Sequence, residues 1–176
     1  MEGIVKVFIG VIGSGKDYQC GLLEKEGYTR IGFSDGVRNL TWKFLNWEPN
    51  NSIAYENFKR NYFNVFGERL LGRQILQRVG TIMREEDEDF WARKWYNTVS
   101  SQSFIGVDKI CVSDCRYPNE VDFIKRFCQE KRFKLKIYFC NFKSERYELN
   151  DHESENLART LLNKGYNDLD DITNFV

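Results

Sequence analysis

Short apolar runs of strand length alternate along the chain with segments of helical periodicity. Ile4–Ile9 and Tyr28–Phe33 predict two strands, and Tyr18–Lys25 predicts the helix that joins them. Ser34 or Asp35 can cap a second helix, because short polar side chains accept hydrogen bonds from the first backbone N–H groups of a helix. The apolar side of this second helix would comprise Val37, Leu40, Phe44 and Leu45.

The middle of the chain, from Ser52 to about Gln102, has a helical pattern. Apolar residues spaced by three and four positions predict one helix, and a tryptophan-bearing stripe predicts another. The acidic cluster Glu85–Asp89 precedes the second stripe, where negative charge complements the positive end of a helix dipole. This position favours a helix cap over a metal site. The first stripe comprises Leu71, Ile75, Val79 and Ile82, and the second comprises Trp91, Trp95 and Val99.

The C-terminal part of the chain returns to alternating strands and helices. Lys109–Asp114 predicts a buried parallel strand that ends in a carboxylate, and Pro118–Lys131 predicts a helix with proline in its first turn. Residues 134–139 alternate between polar or tyrosine side chains and apolar ones, which predicts another strand. Two further elements are predicted, a helix from Asn150 or Asp151 to about Gly165 and a strand at Asp171–Val176.

This alternation predicts an α/β fold of three layers, in which a parallel sheet of about five strands is flanked by helices. The length of 176 residues suits one domain with a substantial core. Pro49 and Pro118 are the only prolines, and the sequence has neither a low-complexity linker nor an internal repeat. We therefore expect a single domain over residues 1–176.

Charge and composition narrow the ligands that the chain is expected to bind. The 26 basic and 26 acidic residues give a net charge of zero, which favours neither nucleic acid nor a membrane surface as a partner. Small-molecule ligands are therefore expected, and an oligomer such as a homodimer is compatible with the sequence. The first predicted strand is flanked and interrupted by charge at Glu2 and Lys6, so a signal peptide is not expected, and no apolar run approaches a membrane span.

The cysteines and the single histidine indicate which redox compartment and which metal sites are expected. Five cysteines are an odd number, they include no C-x-x-C pair, and three lie in or beside apolar runs. This usage is typical of small apolar side chains in a reducing compartment, so a cytoplasmic protein is expected. Because His152 is the only histidine, a structural zinc site is not favoured. The cysteines are Cys20, Cys111, Cys115, Cys128 and Cys140.

The segment Gly10–Asp17 has the pattern G-x-x-x-x-G-K and lies between the first predicted strand and its helix. In such a loop, backbone N–H groups converge on an anion at a helix N-terminus, and the lysine reaches the phosphates. The sequence predicts binding of a nucleoside triphosphate; a plain glycine turn with a solvated Lys16 is the alternative. Asp17 replaces the usual Ser or Thr, and its carboxylate could hold Mg²⁺ directly, hold it through water, or cap the helix. The nucleotide-binding residues would be Gly10, Gly13, Ser14, Gly15, Lys16 and Asp17.

Other candidate residues follow the remaining strands, because ligands collect at the carboxyl ends of strands in a parallel sheet. Asp114 fits a Walker-B-like carboxylate and Arg116 lies in the same loop; a helix cap and a surface ion pair are their respective alternatives. Phosphoryl transfer requires positive charge around the moving group, which arginines on the predicted helices could supply. A solvated basic face is the alternative for these. They are Arg38, Arg73, Arg78 and Arg84, with Gln77 beside them.

Six short segments occur in one order along nearly the whole chain, and each alone is a modest signal. They are Gly10–Asp17, Phe33–Arg38, Arg73-x-x-x-Gln77-x-x-Gly80-Thr81, Asp89–Trp91, Ser113–Glu120 and His152-x-Ser154-Glu155. As an ordered set they resemble the deoxynucleoside monophosphate kinases of bacteriophages and related viruses.

The resemblance implies a P-loop kinase that transfers the γ-phosphoryl group of ATP to a deoxynucleoside 5′-monophosphate, in the host cytoplasm if the protein is viral. It implies that Lys16 and the loop amides hold ATP and that Asp17 helps to place Mg²⁺; Asp114 is the second candidate metal residue, from its Walker-B-like position. Residues from about 52 to 102 would form a helical acceptor-binding insertion, and residues from about 141 to 156 a lid. Arg38 stands where the family usually has lysine, so the charge is kept and its geometry changed.

The resemblance also assigns roles residue by residue. The catalytic residues would be Lys16, Arg73, Asp114 and Arg116. The acceptor-binding residues would be Phe33, Ser34, Asp35, Arg38, Arg73, Gln77, Arg78, Arg116, Tyr117, Arg146, His152 and Glu155. An aromatic ring such as that of Phe33 or Tyr117 would be available to stack on a base.

Two other functions compete with this one. Animal-type phosphomevalonate kinases look similar across the phosphate loop and the Ser113–Arg116 segment, but they carry a second arginine where this chain has Tyr117 and more basic residues within the loop. That departure favours a nucleotide acceptor. The third interpretation is a nucleotide-binding switch or a catalytically silent P-loop protein. Guanine-specific switches need Asn-Lys-x-Asp, and Asn163–Tyr166 lacks the aspartate.

Overall fold

The computed structural model describes residues 2–11, 13–65 and 67–140 of the chain. Over these ranges the strands are β1 (Gly3–Ile9), β2 (Thr29–Arg30), β3 (Tyr62–Val65), β4 (Glu68–Leu71), β5 (Lys109–Val112) and β6 (Phe133–Phe139). The helices are α1 (Lys16–Lys25), α2 (Phe33–Leu45), α3 (Ser52–Arg60), α4 (Gly72–Glu86), α5 (Phe90–Phe104) and α6 (Pro118–Lys131). None of these described helices is long and apolar enough to cross a membrane.

Four strands form a parallel sheet in the order β2, β5, β1, β6. The register places Val5 of β1 between Ile110 of β5 and Leu135 of β6. The prediction of an α/β fold with a parallel sheet is therefore confirmed. Within the described residues the sheet has four strands against the predicted five or so, and the strand predicted at Asp171–Val176 lies outside those residues, as does the helix predicted at 150–165.

Different helices cover the two faces of the parallel sheet, because side chains point alternately to opposite faces along each strand. Val5, Val7 and Ile9 pack into a core that is shared with α5 and α6. Phe8 points the other way and packs with Cys20 of α1. Each fully buried aliphatic side chain in such a core stabilises the fold by about 1.5–3 kcal/mol. The three predicted layers are thus α5 and α6, the sheet, and α1.

The chain divides into two compact units. One unit combines Met1–Phe33 with Ala92–Val176 and holds the parallel sheet. The other unit, Ser34–Trp91, holds an antiparallel hairpin of β3 and β4 and a core around Trp42, Phe58 and Ile75. Within the second unit the indole N–H of Trp91 donates to the Gly80 carbonyl at 2.9 Å. The single domain with an insertion at about 52–102 stays a prediction.

The middle of the chain is less helical than its sequence pattern predicts. The hairpin of β3 and β4 interrupts the predicted helical region, and Leu71 is the last residue of β4 instead of the first apolar position of a helical stripe. Residues Tyr62–Val65 alternate between exposed and half-buried positions, which is a strand period that the surrounding helical spacing obscures. Ile82 is 44% exposed, because the buried side of α4 runs through Ile75, Val79 and Gly80.

The second predicted strand is also shorter than expected. It ends at Arg30, and Phe33, which the sequence pattern assigns to the strand, is the first residue of α2. The Asp114 carboxylate accepts a hydrogen bond from the Phe33 N–H at 3.0 Å, so α2 begins on a carboxylate from another loop. Because α2 begins at Phe33, Ser34 and Asp35 lie within its first turn and not before the helix as the predicted cap requires.

Candidate functional site

The loop from Gly10 to Lys16 connects β1 to α1, as the sequence predicts, and its glycines are required by its backbone. Gly13 and Gly15 have φ angles of 78° and 86°, a left-handed conformation that side chains disfavour. Gly10 is required by space, because a Cβ there would lie 2.5 Å from the Cys140 carbonyl oxygen. The loop is thus held tightly between the ends of β1 and β6 and the start of α1.

Lys16 is the first residue of α1, and its side chain folds back over the loop. The ammonium donates to the Val11 carbonyl at 2.6 Å and lies 3.4 Å from the Ser14 hydroxyl. Lys16 is only 9% exposed, and Ser14 is 3% exposed. A cation is therefore fixed at a helix N-terminus, where backbone N–H groups and the helix dipole both favour an anion.

Asp17, in the first turn of α1, is bonded to residues of two other elements. Arg30, at the end of β2, forms an ion pair with the Asp17 carboxylate. The Ser113 hydroxyl, just after β5, accepts from the Arg30 guanidinium at 2.7 Å and donates to the Asp17 carboxylate at 2.9 Å. These three residues close a ring of hydrogen bonds, so Asp17 does not act as a simple helix cap. We name this ring the Asp17–Arg30–Ser113 triad.

Arg30 is the residue of this region that sequence reasoning missed. Burial lowers the pKa of its guanidinium, but the negative charges of Asp17 and Asp114 outweigh burial and raise the pKa overall. Arg30 therefore stays charged and lies within electrostatic reach of both carboxylates that the sequence nominates for Mg²⁺. In the sequence Arg30 lies inside the strand predicted at Tyr28–Phe33, and an arginine at such a position carries no specific functional signal.

Asp114 lies in the loop after β5 and packs against the backbone after β2. Besides the bond from the Phe33 N–H, its carboxylate occupies the space beside Gly32, where a Cβ would lie 2.6 Å from the Asp114 Oδ2. The carboxylate thus fastens the loop after β5 to the start of α2. The alternative of a helix cap, which the sequence left open for Asp114, is realised on α2.

Arg116 and Tyr117 lie in the same loop, and a buried carboxylate shapes their backbone. Glu120 is 2% exposed and accepts from the Arg116 N–H at 2.6 Å and from the Tyr117 N–H at 3.2 Å. The Arg116 residue is exposed, and Tyr117 is half-buried. Glu120 therefore holds the loop that presents Arg116. The sequence signal for this role is that Glu120 stands three residues after Tyr117, the spacing of a capping box.

The topology of the sheet brings the loops after β1 and β5 together at the carboxyl ends of the parallel strands, which we call the carboxyl edge of the sheet. The connection from β1 runs through α1 to β2, whereas the connection from β5 runs through α6 to β6, past β1 and over the other face. β1 and β5 are neighbours, so the chain leaves their carboxyl ends in opposite directions. Such a topological switch point is where parallel sheets bind ligands.

Phe33 is buried in the core of the first unit. Its ring is 3% exposed and stacks on Trp95 with the ring centroids 5.0 Å apart, while the Trp95 indole N–H donates to the Ile31 carbonyl at 2.9 Å. A base could stack on Phe33 only if the ring left this contact. The position of Phe33 thus gives no support to its predicted role in base stacking.

In the second unit, predicted acceptor residues lie on α2. Ser34 and Asp35 are half-buried, and Arg38 forms an ion pair with Asp35 one turn earlier. The Arg38 guanidinium also lies over the Tyr55 ring, 5.7 Å from its centroid. Burial lowers the pKa of Arg38, but Asp35 and Tyr55 outweigh burial and raise it, so this side chain stays charged.

The predicted residues of α4 are on its more exposed side. Arg73 and Gln77 are exposed, and Arg84 is half-buried. Arg78 pairs with Glu68 of β4 through both terminal nitrogens, at 3.2 and 3.3 Å. Three further predicted residues, Arg146, His152 and Glu155, lie outside the described residues together with the predicted lid.

All five cysteines lie in the described ranges, and each is buried and free of disulfide bonds. Burial raises the pKa of the Cys115 thiol well above its ordinary value and raises that of Cys128 to about 12. The Cys111 thiol donates to the Cys20 carbonyl at 3.9 Å. These thiols pack as small apolar side chains, as the sequence predicts.

The side chains at this edge include the donors that Mg²⁺ prefers. Carboxylate oxygens of Asp17 and the hydroxyl oxygen of Ser113 are hard ligands, and Mg²⁺ in phosphotransferases takes one or two protein oxygens together with phosphate oxygens. Among the described residues no group of three or more His, Cys, Asp or Glu side chains forms a complete metal site. Oxygens of this kind suit an ion whose other ligands are phosphate oxygens or water.

No family model and no curated protein matches this chain. Three of the solved structures to which it is similar each share 14% sequence identity with it. A kinase candidate from Chloroflexus aurantiacus j-10-fl has a TM-score of 0.46, with 79% of this chain and 59% of that protein covered. A cysteine-to-alanine mutant of the Mycobacterium tuberculosis APS kinase CysC has a TM-score of 0.41, with 92% and 96% covered.

The third structure is a gluconokinase from Sinorhizobium meliloti 1021, with a TM-score of 0.42 and coverage of 98% of this chain and 82% of that protein. The chain thus spans about 59% of the length of the Chloroflexus protein.

Proposed function

We propose that the protein is a P-loop kinase that transfers the γ-phosphoryl group of ATP to the phosphate of a deoxynucleoside 5′-monophosphate. A phosphate oxygen of the acceptor forms a bond to the γ-phosphorus, and the bond from the γ-phosphorus to the β,γ-bridging oxygen breaks. The electron pair of the broken bond leaves with ADP, and the second product is a deoxynucleoside diphosphate.

One observation carries this proposal, the geometry of Lys16 on its loop. A nearly buried ammonium is held by loop oxygens at a helix N-terminus, next to two glycines in left-handed conformation. A solvated lysine on a plain glycine turn would have no reason to be fixed in this way. When a triphosphate binds, its oxygens would replace the Val11 carbonyl as the hydrogen-bond acceptors of the Lys16 ammonium.

The donor half of the reaction uses the residues at the edge of the parallel sheet. Lys16 and the loop amides bind the β- and γ-phosphates and stabilise the charge that develops during transfer. Mg²⁺, when bound with the nucleotide, neutralises part of the phosphate charge. Asp17 and Ser113 offer oxygens to that ion, and Asp114 adds negative charge while it holds the start of α2.

The acceptor half of the proposal rests on the resemblance of the motifs and on exposed positive charge. Arg116 is exposed and extends from a loop whose backbone is held by Glu120, and we assign it to the acceptor phosphate because a guanidinium can bind a phosphate through two N–H groups. Arg73 and Gln77 are exposed on α4, and the same role is proposed for them. Tyr117 is the remaining aromatic candidate for stacking on the base, since Phe33 is buried.

The experiment that tests the proposal supplies the protein with ATP, Mg²⁺ and each of the four deoxynucleoside monophosphates in separate reactions. ADP and the corresponding deoxynucleoside diphosphate are measured by anion-exchange chromatography. Mevalonate 5-phosphate is a further acceptor, and the Lys16→Ala variant, purified in parallel, is the control for contaminating kinases.

Each outcome of this experiment separates the proposal from its competitors. Turnover of at least one nucleotide that the Lys16→Ala protein lacks would support it. Turnover of mevalonate 5-phosphate alone would replace it with the phosphomevalonate kinase interpretation. ATP binding without turnover of any acceptor would identify a silent P-loop protein.

A further inference from the structure

The Asp17–Arg30–Ser113 triad joins three elements whose loops meet at the edge of the sheet. Arg30 comes from the end of β2, Asp17 from the first turn of α1, and Ser113 from the residue after β5. The Arg30 guanidinium contacts both of the other side chains, and they contact each other at 2.9 Å. A positive charge therefore already occupies the side of Asp17 that faces Ser113.

We propose that Arg30 is a positioning residue that acts as the resident counter-cation of Asp17, so that a divalent cation must compete with it for the carboxylate. The inference rests on the proposed function only in that the competing cation would be the Mg²⁺ that accompanies ATP. In the nucleotide-free protein, Arg30 would hold Asp17 against Ser113. It would thereby weaken the binding of a divalent cation that arrives without a nucleotide.

The exposure of the triad makes such an exchange feasible. The Arg30 side chain is 36% exposed and that of Asp17 is 75% exposed, so the ion pair is open to solvent on the side of the carboxylate. Ion pairs this exposed contribute little to folding. The contact can therefore be replaced by another cation without a large loss of stability.

The chemistry of the triad also favours competition between cations over a change of protonation. A guanidinium does not lose its proton in proteins, so Arg30 cannot be removed from Asp17 by deprotonation. Both hydrogen bonds to Asp17 end on its Oδ1 atom, and the other oxygen of the ring is the Ser113 hydroxyl. Carboxylate and hydroxyl oxygens are ligands that Mg²⁺ and Mn²⁺ accept.

The test measures binding of Mn²⁺ alone to the nucleotide-free protein, from the electron paramagnetic resonance signal of the free ion. Arg30→Gln should bind Mn²⁺ about tenfold more tightly than the wild type, because one positive charge beside the carboxylate is lost. Arg30→Lys keeps the charge and should stay within about threefold of the wild type. In the double variant Arg30→Gln with Asp17→Asn, the gain of affinity should disappear.

A gain of affinity is a result that damage to the fold would not produce. Circular dichroism and thermal melting establish that each variant is folded. If Arg30→Gln does not fold, Arg30→Met provides the second test, since it removes the charge and keeps an unbranched side chain. Its Mn²⁺ affinity should likewise be about tenfold higher than that of the wild type.

The inference is overturned if the folded Arg30→Gln protein binds Mn²⁺ with unchanged or lower affinity, or shows no binding at millimolar Mn²⁺. It is equally overturned if the gain persists when Asp17 is replaced by Asn. The assay contains neither ATP nor an acceptor, so these results do not depend on kinase activity. An absence of turnover would remove the proposed function and leave the competition at Asp17 standing.

Discussion

The loops after β1 and β5 and the exposed side of α4 both carry cationic side chains with predicted roles in phosphate binding, but they hold those charges differently. Lys16 is nearly buried over its own loop, and Arg30 is bonded to residues of two other elements. On α4, Arg73 is exposed and Arg78 pairs with Glu68 of the neighbouring strand.

This difference separates two kinds of functional prediction. A phosphate loop is specified by backbone conformation, so glycine spacing and a lysine suffice to predict both its shape and its ligand. An exposed arginine on a helix is compatible with many roles, and its assignment here depends on the resemblance of the motif around it. The four predictions below test this contrast from the largest effect to the smallest.

The largest effect is expected from Lys16→Ala, which removes the cation that the loop holds in place. We expect kcat/KM for ATP to fall by about 10²–10³-fold, because a charge-stabilising group at the transferring phosphoryl is lost. Lys25→Ala, at the exposed end of the same helix, is the matched control and should be near normal. Steady-state kinetics with saturating acceptor give both values, and a Lys16→Ala rate within twofold of the wild type would contradict the donor assignment.

Alanine at Arg73 or Arg116 tests the exposed cations. Each substitution should lower kcat/KM for the deoxynucleoside monophosphate by about tenfold or more, while the dissociation constant of ATP changes by less than about threefold. Arg126→Ala is the control, since Arg126 lies on α6 and interacts there with Glu130 and the Phe123 ring. An arginine whose removal leaves both constants unchanged belongs to a solvated basic face, as the sequence left open.

A smaller effect, on folding, compares two glycines around the phosphate loop. Gly10→Ala should destabilise the protein by about 1–3 kcal/mol, because its Cβ would meet the Cys140 carbonyl at 2.5 Å. Gly21→Ala, inside α1 with nothing within 4 Å of the added carbon, should stabilise it by up to about 1 kcal/mol. Urea denaturation measures both changes, and equal effects would mean that the loop is looser than described.

The smallest effect concerns the core that α6 shares with the sheet. Burial raises the pKa of the Cys128 thiol from 9.0 to about 12, so the folded protein keeps the proton that the unfolded chain releases. The resulting stabilisation is complete below pH 9 and is lost as the pH rises from 9 towards 12. The destabilisation caused by Cys128→Ala should therefore shrink over that interval in urea denaturation. A pH-independent difference would show that the thiol does not titrate in this way.

The parts of the fold that local pattern determines were predictable. The strand, glycine loop and helix from Gly3 to Lys25 are encoded by an apolar run followed by backbone-specific residues, and α6 begins at its proline and ends at Lys131 as predicted. The hairpin of β3 and β4 was not predictable in this way, because its strands are short and lie between two helical stripes. Only the pairing of β3 with β4 distinguishes these residues from a continuation of the neighbouring helices.

The candidate site was likewise predictable where local spacing determines it, and not where it depends on contacts between distant segments. Lys16 and its loop follow from local spacing, whereas the partners of Asp17 follow from the strand order, which puts β5 between β1 and β2. No local pattern shows that Arg30 and Ser113 meet at Asp17. The burial of Phe33 likewise depends on Trp95, a residue of another helix.

Trp95 also gives the first unit an optical reporter. The other three tryptophans, Trp42, Trp47 and Trp91, belong to the second unit, whereas the Trp95 indole bonds to the carbonyl of Ile31, the residue after Arg30. Any shift of the backbone after β2 must alter this hydrogen bond or the stacking on Phe33. In a variant whose other tryptophans are phenylalanine, fluorescence would report on the backbone that follows Arg30 without a chemical label.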